Sequence, residues 1–124
     1  AFLADDMLGT GGTLLKAMSF LKENGATKVI AAISLPFFTG NAIELFDEAY
    51  KKGLFYRIIG TNAVYHEELL TKEWYISTDV SGLFANVITR IHHNQSIGNL
   101  LDNRTIIEKI VKSVEQNTSQ EEKN

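Results

Sequence analysis

Two adjacent carboxylates precede a segment rich in glycine and threonine. Asp5 and Asp6 are followed by Gly9–Thr13 (G-T-G-G-T), and an apolar helical pattern begins directly after it. Glycines let the backbone wrap closely around an anion, and the hydroxyls of Thr10 and Thr13 add donors. The unpaired N–H groups at the start of a helix favour an anion as well. The segment therefore predicts a phosphate-binding loop.

Carboxylates beside a phosphate site repel the anion unless another group engages them. Asp5 and Asp6 would be favourable there if they accept hydrogen bonds from sugar hydroxyls. They would also be favourable if they help to hold a Mg²⁺ ion that neutralises the phosphate charge. The residues alone leave both interpretations open, beside that of a plain glycine-rich turn in which one acid starts the helix.

The spacing of the loop excludes two other phosphate-binding motifs. The first lysine after the glycines is Lys16, so the chain has no G-x-x-x-x-G-K-[ST] sequence here. Leu14 stands where the third glycine of G-x-G-x-x-G would be. The loop therefore matches neither of these two phosphate-binding motifs.

The elements that must position this loop alternate between strand and helix patterns. Short apolar or β-branched segments, typical of strands, cover residues 1–4, 28–35, 55–59 and 73–77. Apolar residues at helical spacing cover residues 14–21, 42–50, 84–91 and 106–114. This alternation predicts an α/β fold with a mostly parallel sheet flanked by helices, and the run at 28–35 predicts a strand buried on both faces. Ligands bind at the carboxyl ends of such strands, where Asp5 and Asp6 are expected.

Composition and charge narrow the class of partner. The 124 residues are 44% hydrophobic and 22% charged, which is typical of one globular domain. The net charge is −3 and the 12 Lys and Arg are dispersed, which argues against nucleic acid or an anionic membrane. The longest uncharged stretch, 29–43, is too short for a transmembrane helix. Without cysteine or a leader pattern, the simplest prediction is a cytoplasmic protein.

The beginning of the sequence reads as a strand already in progress. It starts with Ala1-Phe2-Leu3-Ala4 and has no initiator Met. A buried strand needs neighbours on both sides. We therefore expect the chain to be a fragment of a longer protein.

At these residues the sequence resembles a known family. Residues 2–14 (FLADDMLGTGGTL) are similar to the phosphoribosyl pyrophosphate (PRPP) motif of type I phosphoribosyltransferase folds, two acids followed by T-G-G-T. Further stretches resemble the carboxyl-terminal half of ribose-phosphate pyrophosphokinase (PRPP synthetase): 24–26, 38–42, 77–85, 90–97 and 100–101. The resemblance implies a Rossmann-like three-layer ribose-phosphate-binding domain over 1–102, with 103–124 as a terminal helix and polar tail.

The resemblance also implies a reaction and the roles of the loop. The family transfers the β,γ-pyrophosphoryl group of ATP to the C1 hydroxyl of ribose 5-phosphate, with Mg²⁺, to make PRPP for nucleotide biosynthesis. Asp5 and Asp6 would hold the ribose hydroxyls. The 5-phosphate would be cradled by Thr10, Gly11, Gly12 and Thr13. The ATP site and the catalytic basic loop of the family belong to an amino-terminal half, so this chain alone is expected to be inactive, with no catalytic residue, and to work within a homo-oligomer.

Three departures from the family pattern leave alternatives. Gly9 stands where the family usually has a third acid, a further ribose ligand. Ser34-Leu35-Pro36 stands where a His is common, and the loop at residues 60–66 is longer than in the family. The alternatives are a non-catalytic regulator that senses PRPP or a nucleotide on the same fold, and a phosphoribosyltransferase that uses PRPP as its substrate.

Other side chains are predicted to serve structure rather than chemistry. Adjacent residues of a helix point about 100° apart, so His92 and His93 are expected on the surface rather than on one metal. His66, beside Glu67 and Glu68, is expected in a solvated acidic loop. Six aromatic residues are predicted to pack in the core or an interface rather than to stack on a base: Phe37, Phe38, Phe55, Tyr56, Trp74 and Tyr75.

Overall fold

The computed structural model describes residues 1–102, 104, 107–109 and 111–112. The chain divides into two compact units, Ala1–Ser81 and Gly82–Asn124. The sheet lies in the first unit.

The first unit alternates parallel strands with helices. Its elements are β1 (Phe2–Leu8), α1 (Gly12–Glu23), β2 (Ile30–Pro36), α2 (Ala42–Lys51), β3 (Arg57–Thr61), a 3₁₀ helix (Glu68–Thr71) and β4 (Tyr75–Thr78). The strands pair in the order β1-β2-β3-β4, and every pair is parallel. The predicted α/β fold is confirmed, although each strand begins one or two residues later than the sequence pattern indicated.

β1 is longer than predicted at its carboxyl end. It extends to Leu8, which pairs with Pro36 of β2, so Asp5 and Asp6 lie inside the strand. The prediction that they follow the strand was wrong. Aspartate is disfavoured in strands, but β2 supplies backbone partners as far as Leu8, and this pairing outweighs the local preference.

Helices α1 and α2 pack on one face of the sheet. Right-handed crossovers that advance in one direction place successive helices on the same face. The Phe46 ring of α2 lies 5.3 Å from that of Phe38, 5.7 Å from Phe55 and 5.9 Å from Trp74. The buried hydrophobic residues are Leu8, Leu14, Met18, Val29, Ala31, Ile33, Phe38, Ala42, Ile43, Phe46, Ala49, Phe55, Ile58, Leu69 and Trp74. Core packing is thus confirmed for Phe38, Phe55 and Trp74.

The opposite face of the sheet is less covered. Ala4, Ala32, Ile59 and Ile76 are successive register partners across the four strands. Ala4 is exposed, Ala32 and Ile59 are half-buried, and Ile76 is 45% exposed. Within Ala1–Ser81, the face toward α1 and α2 is therefore the buried one. The apolar run at 28–35 predicted a strand buried on both faces, but such a run does not show which part of the protein covers each face.

Two helices follow the sheet. α3 (Ser81–His92) confirms the predicted helix, and its apolar residues Phe84, Ile88 and Ile91 are more than half exposed. α4 spans Gly98–Leu101. The predicted terminal helix at 106–114 and the polar tail lie largely outside the described residues. No helix among the described residues is both long and apolar enough to cross a membrane.

Candidate functional site

The turn from β1 into α1 depends on Gly11. This residue has a left-handed backbone (φ 78°) at the N-cap of α1, and its carbonyl accepts the N–H of Leu15 at 3.0 Å. A Cβ atom on Gly11 would overlap the ring of Phe46. Glycine is therefore required at this position for two reasons: the left-handed backbone conformation and the close approach of α2.

The start of α1 is open to an anion. Thr10, Gly12 and Thr13 are exposed, and among the described residues no heavy atom other than those of the chain neighbours and of the helix backbone lies within 4 Å of the place where a Cβ of Gly12 would stand. The N-cap has no side-chain hydrogen bond, and the first turn has no acidic residue. No acid in the first turn of the helix therefore opposes its unpaired N–H groups or the positive end of its dipole. The predicted phosphate-loop residues are brought together at this turn.

The two acids lie close by in β1. Both are exposed, and Asp5 Oδ1 accepts the backbone N–H of Asp6 at 2.9 Å. Asp5 also lines a cleft of about 240 Å³ on the less covered face of the sheet, which includes Ala4, Ala32 and Ile59 and extends toward the carboxyl ends of the strands. The cleft is lined further by one polar residue from each of the other strands: Ser34, Thr61 and Thr78.

Sequence reasoning missed these three polar residues. Thr61 donates a hydrogen bond of 2.5 Å to the carbonyl of Ser34, which ties β3 to β2 beside the cleft. The only signal in the sequence is that each one stands at or near the end of an apolar strand. These polar residues lie toward the carboxyl ends of the strands, near which ligands bind in parallel α/β sheets.

The loop between β2 and α2 runs alongside the turn. The N–H of Phe38 donates to the carbonyl of Leu8 at 3.1 Å, and the N–H of Thr39 donates to the carbonyl of Gly9 at 3.0 Å. The hydroxyl oxygen of Thr39 is 3.6 Å from the position of a Cβ on Gly9. The two loops therefore form one surface.

The loops after β3 and β4 are joined by Asn62. Its side-chain amide donates to Asp79 Oδ1 at 2.7 Å, and its side-chain oxygen accepts the N–H of Val80 at 2.9 Å. Asp79 Oδ1 also accepts the N–H of Ser81, the first residue of α3, at 2.9 Å. The bond from Ser81 is the main cause of the lowered pKa of Asp79. Asp79 therefore caps the start of α3.

The three histidines lie away from the turn between β1 and α1 in the sequence, and they differ in exposure. The ring of His66 lies edge-to-face on Phe38 with centroids 6.4 Å apart, and its Nε2 is buried without a hydrogen-bond partner. Glu67 and Glu68 are exposed, as expected for a solvated acidic loop, whereas His66 is half-buried. His92 and His93 are exposed at the end of α3. Among the described residues, no three His, Asp or Glu side chains are grouped to hold a metal ion.

A parallel sheet with a glycine turn before α1 and polar residues at the strand ends defines an α/β domain whose candidate site lies at the carboxyl edge. The chain belongs to the family described as the phosphoribosyl synthetase-associated domain, which matches residues 1–102. The family-level resemblance found in the sequence is thereby confirmed.

Several curated relatives are named ribose-phosphate pyrophosphokinases. The chain is 39% identical over 98 residues to the protein of Wolinella succinogenes, covering 79% of this chain and 30% of the relative. It is 38% identical over 98 residues to ribose-phosphate pyrophosphokinase 2 of Schizosaccharomyces pombe, covering 78% and 29%. It is 40% identical over 99 residues to the protein of Helicobacter pylori, covering 79% and 29%. The chain thus spans about three-tenths of the length of these relatives.

Proposed function

We propose that the chain is the ribose 5-phosphate-binding, carboxyl-terminal half of a ribose-phosphate diphosphokinase with a type I phosphoribosyltransferase fold. The full-length enzyme would transfer pyrophosphate from ATP to C1 of ribose 5-phosphate and so make PRPP. One observation carries the proposal. In a chain of the phosphoribosyl synthetase-associated family, a left-handed Gly11 opens α1 directly after a strand that bears Asp5 and Asp6.

The turn at residues 10–13 binds the 5-phosphate. Gly11 turns the chain into α1, and the missing side chain of the exposed Gly12 lets phosphate oxygens approach the backbone N–H groups at the start of the helix. The exposed hydroxyls of Thr10 and Thr13 add two donors. Because the first turn has no acid, nothing on α1 repels the dianion there.

The carboxylates bind the sugar. Asp5 and Asp6 are exposed acceptors, and Asp5 lines the cleft on the less covered face of the sheet. A carboxylate that accepts a hydrogen bond from a ribose hydroxyl forms the stronger, charge-assisted kind of bond. The sugar and its phosphate would then lie across β1 and the start of α1.

Mg²⁺ would accompany ATP as the co-substrate. This ion usually takes one or two carboxylates together with phosphate oxygens and water, and the exposed pair Asp5 and Asp6 fits that donor set. When bound, it neutralises phosphate charge. The described residues of this chain position the acceptor sugar, and the catalytic groups would belong to the other part of the enzyme. On the resemblance and the lack of cysteine, we place the full-length protein in the cytoplasm as a homo-oligomer.

Titration of the 124-residue chain with ribose 5-phosphate, by calorimetry and by NMR, tests the proposal. Binding should shift the amide signals of residues 5–13. Asp6→Asn should weaken binding about 10- to 100-fold because it removes a charge-assisted contact. Glu23→Gln, at the far end of α1, is the matched control and should bind as the wild type does. Shifts confined to other residues, or no binding, would contradict the proposal.

A non-catalytic regulator on the same fold is the second candidate, and Gly9 favours it because the loop lacks a carboxylate at that position. Among the described residues other than its chain neighbours, the Thr39 hydroxyl alone lies within 4 Å of a Cβ on Gly9, so the fold leaves room for the Cβ of a Gly9→Asp variant. If the full-length protein is an enzyme, the wild type makes PRPP without this substitution. If it is a regulator, neither the wild type nor Gly9→Asp makes PRPP.

A further inference from the structure

We infer that the hydroxyl of Thr39 belongs to the same sugar-phosphate site and donates a hydrogen bond to an oxygen of the bound ligand, through the space that Gly9 leaves open. The inference rests on the proposed function. It adds the loop between β2 and α2 to a site otherwise built on β1 and α1.

Backbone bonds fix Thr39 against the turn. Its N–H donates to the carbonyl of Gly9 at 3.0 Å, and the preceding N–H, that of Phe38, donates to the carbonyl of Leu8 at 3.1 Å. Two consecutive bonds hold the loop in register with the end of β1. A ligand oxygen held at the turn would therefore come close to the side chain of residue 39.

The backbone before and after Thr39 is unusual. Phe38 has a positive φ of 45°, which is rare for a bulky residue, and Gly40 has φ 65°. The Phe38 ring is buried and packs against Phe46 at 5.3 Å and Trp74 at 6.0 Å, which retains this conformation. Strained backbone of this kind is found mainly at functional sites. Here it turns the ring into the core and leaves the next residue, Thr39, exposed.

Gly9 is not required by its own backbone. Its φ lies outside the left-handed region, and the nearest atom to a Cβ built on it is Thr39 Oγ1 at 3.6 Å, an ordinary contact distance. A Cβ atom therefore fits at this position. It would stand directly beside the Thr39 hydroxyl and obstruct it. The glycine keeps a neutral donor accessible next to the place proposed for a phosphate.

The test compares the affinity of the full 124-residue chain for ribose 5-phosphate among five forms: wild type, Thr39→Val, Thr39→Ser, Gly9→Ala and Thr27→Val. Thr39→Val removes the hydroxyl at constant shape and should weaken binding about 10-fold, whereas Thr39→Ser should retain it. Gly9→Ala should also weaken binding because its methyl group covers the hydroxyl. Thr27, exposed in the loop between α1 and β2, is the matched control, and Thr27→Val should leave affinity unchanged.

The outcomes separate the inference from the proposed function. If Thr39→Val binds as the wild type does while Asp6→Asn loses affinity, the inference is wrong and the proposed function stands. If the wild type does not bind ribose 5-phosphate, both are wrong. Amide NMR spectra establish that each variant is folded. Should Thr39→Val not fold, Gly9→Ala decides the question, and unchanged affinity in that variant overturns the inference.

Discussion

The indole Nε1 of Trp74 donates a hydrogen bond of 2.7 Å to Oδ1 of Asp47, and so joins the segment before β4 to α2. The other carboxylate oxygen, Oδ2, accepts a bond of 2.7 Å from Lys72 Nζ. Both oxygens of Asp47 are thus engaged at the edge of the aromatic core, where Trp74 is buried. The charged form of Asp47 is the one that this arrangement stabilises.

Stability should fall in acid through Asp47. Burial raises the pKa of this carboxyl, but the bonds from Lys72 and Trp74 outweigh burial and bring the pKa below its ordinary value of 3.8. Because the folded-state pKa is depressed, the stabilisation is complete above the unfolded-state pKa and is lost as pH falls through the folded-state pKa. Asp47→Asn should cost about 1–2 kcal/mol at pH 7 and lose less stability in acid than the wild type. Urea unfolding across this pH range measures both effects, and equal pH dependence in the two proteins would contradict the assignment.

Gly11→Ala should destabilise the fold more than a typical glycine substitution. The added methyl group is strained in the left-handed backbone conformation and also overlaps the Phe46 ring. Together the two effects should lower the free energy of unfolding by about 2–5 kcal/mol. Gly25→Ala is the control, because Gly25 has φ 91° but no heavy atom near its Cβ position. That variant should lose about 1–2 kcal/mol in urea unfolding. Equal losses in the two variants would show that the contact with Phe46 is unimportant.

Phe46→Ala should cost about 3–5 kcal/mol because it removes the fully buried ring at the centre of the aromatic core. Phe20→Ala, at a site 64% exposed on α1, should change stability by less than about 0.5 kcal/mol. Combining Gly11→Ala with Phe46→Leu should destabilise less than the sum of the single changes, since the smaller side chain relieves the overlap. Strict additivity would contradict the predicted contact.

Asp79→Ala should fray the start of α3. The carboxylate accepts the N–H of Ser81, and this bond is the main cause of its lowered pKa. In the wild type, protection of the Ser81 amide should therefore be lost as pH falls through the pKa of Asp79. Asp79→Asn keeps an acceptor oxygen and should keep the protection without its pH dependence. NMR exchange of the Ser81 amide measures this, and unchanged protection in Asp79→Ala would show that the cap does not matter.

The sequence predicted those features that depend on the spacing of residues close together in the chain. The glycines of the turn and the apolar faces of α1 and α2 are local patterns, and both were predicted. The cleft residues Ser34, Thr61 and Thr78 were not, because single polar residues at strand ends have no common signal until the order β1-β2-β3-β4 brings them together. The contact of His66 with Phe38 likewise joins residues of two separate loops.

The end position of β1 in the sheet has a consequence for self-association. Among the four described strands, β1 pairs only with β2, so its outer edge leaves backbone N–H and C=O groups for another strand to bind. Phe2 and Met7, both more than half exposed, would favour such pairing. A second copy of β1 laid alongside would bring its Asp5 and Asp6 near those of the first, and like charges opposite each other destabilise a strand pair. In the 124-residue chain taken by itself, we expect the carboxylates proposed to hold a sugar to disfavour this pairing as well.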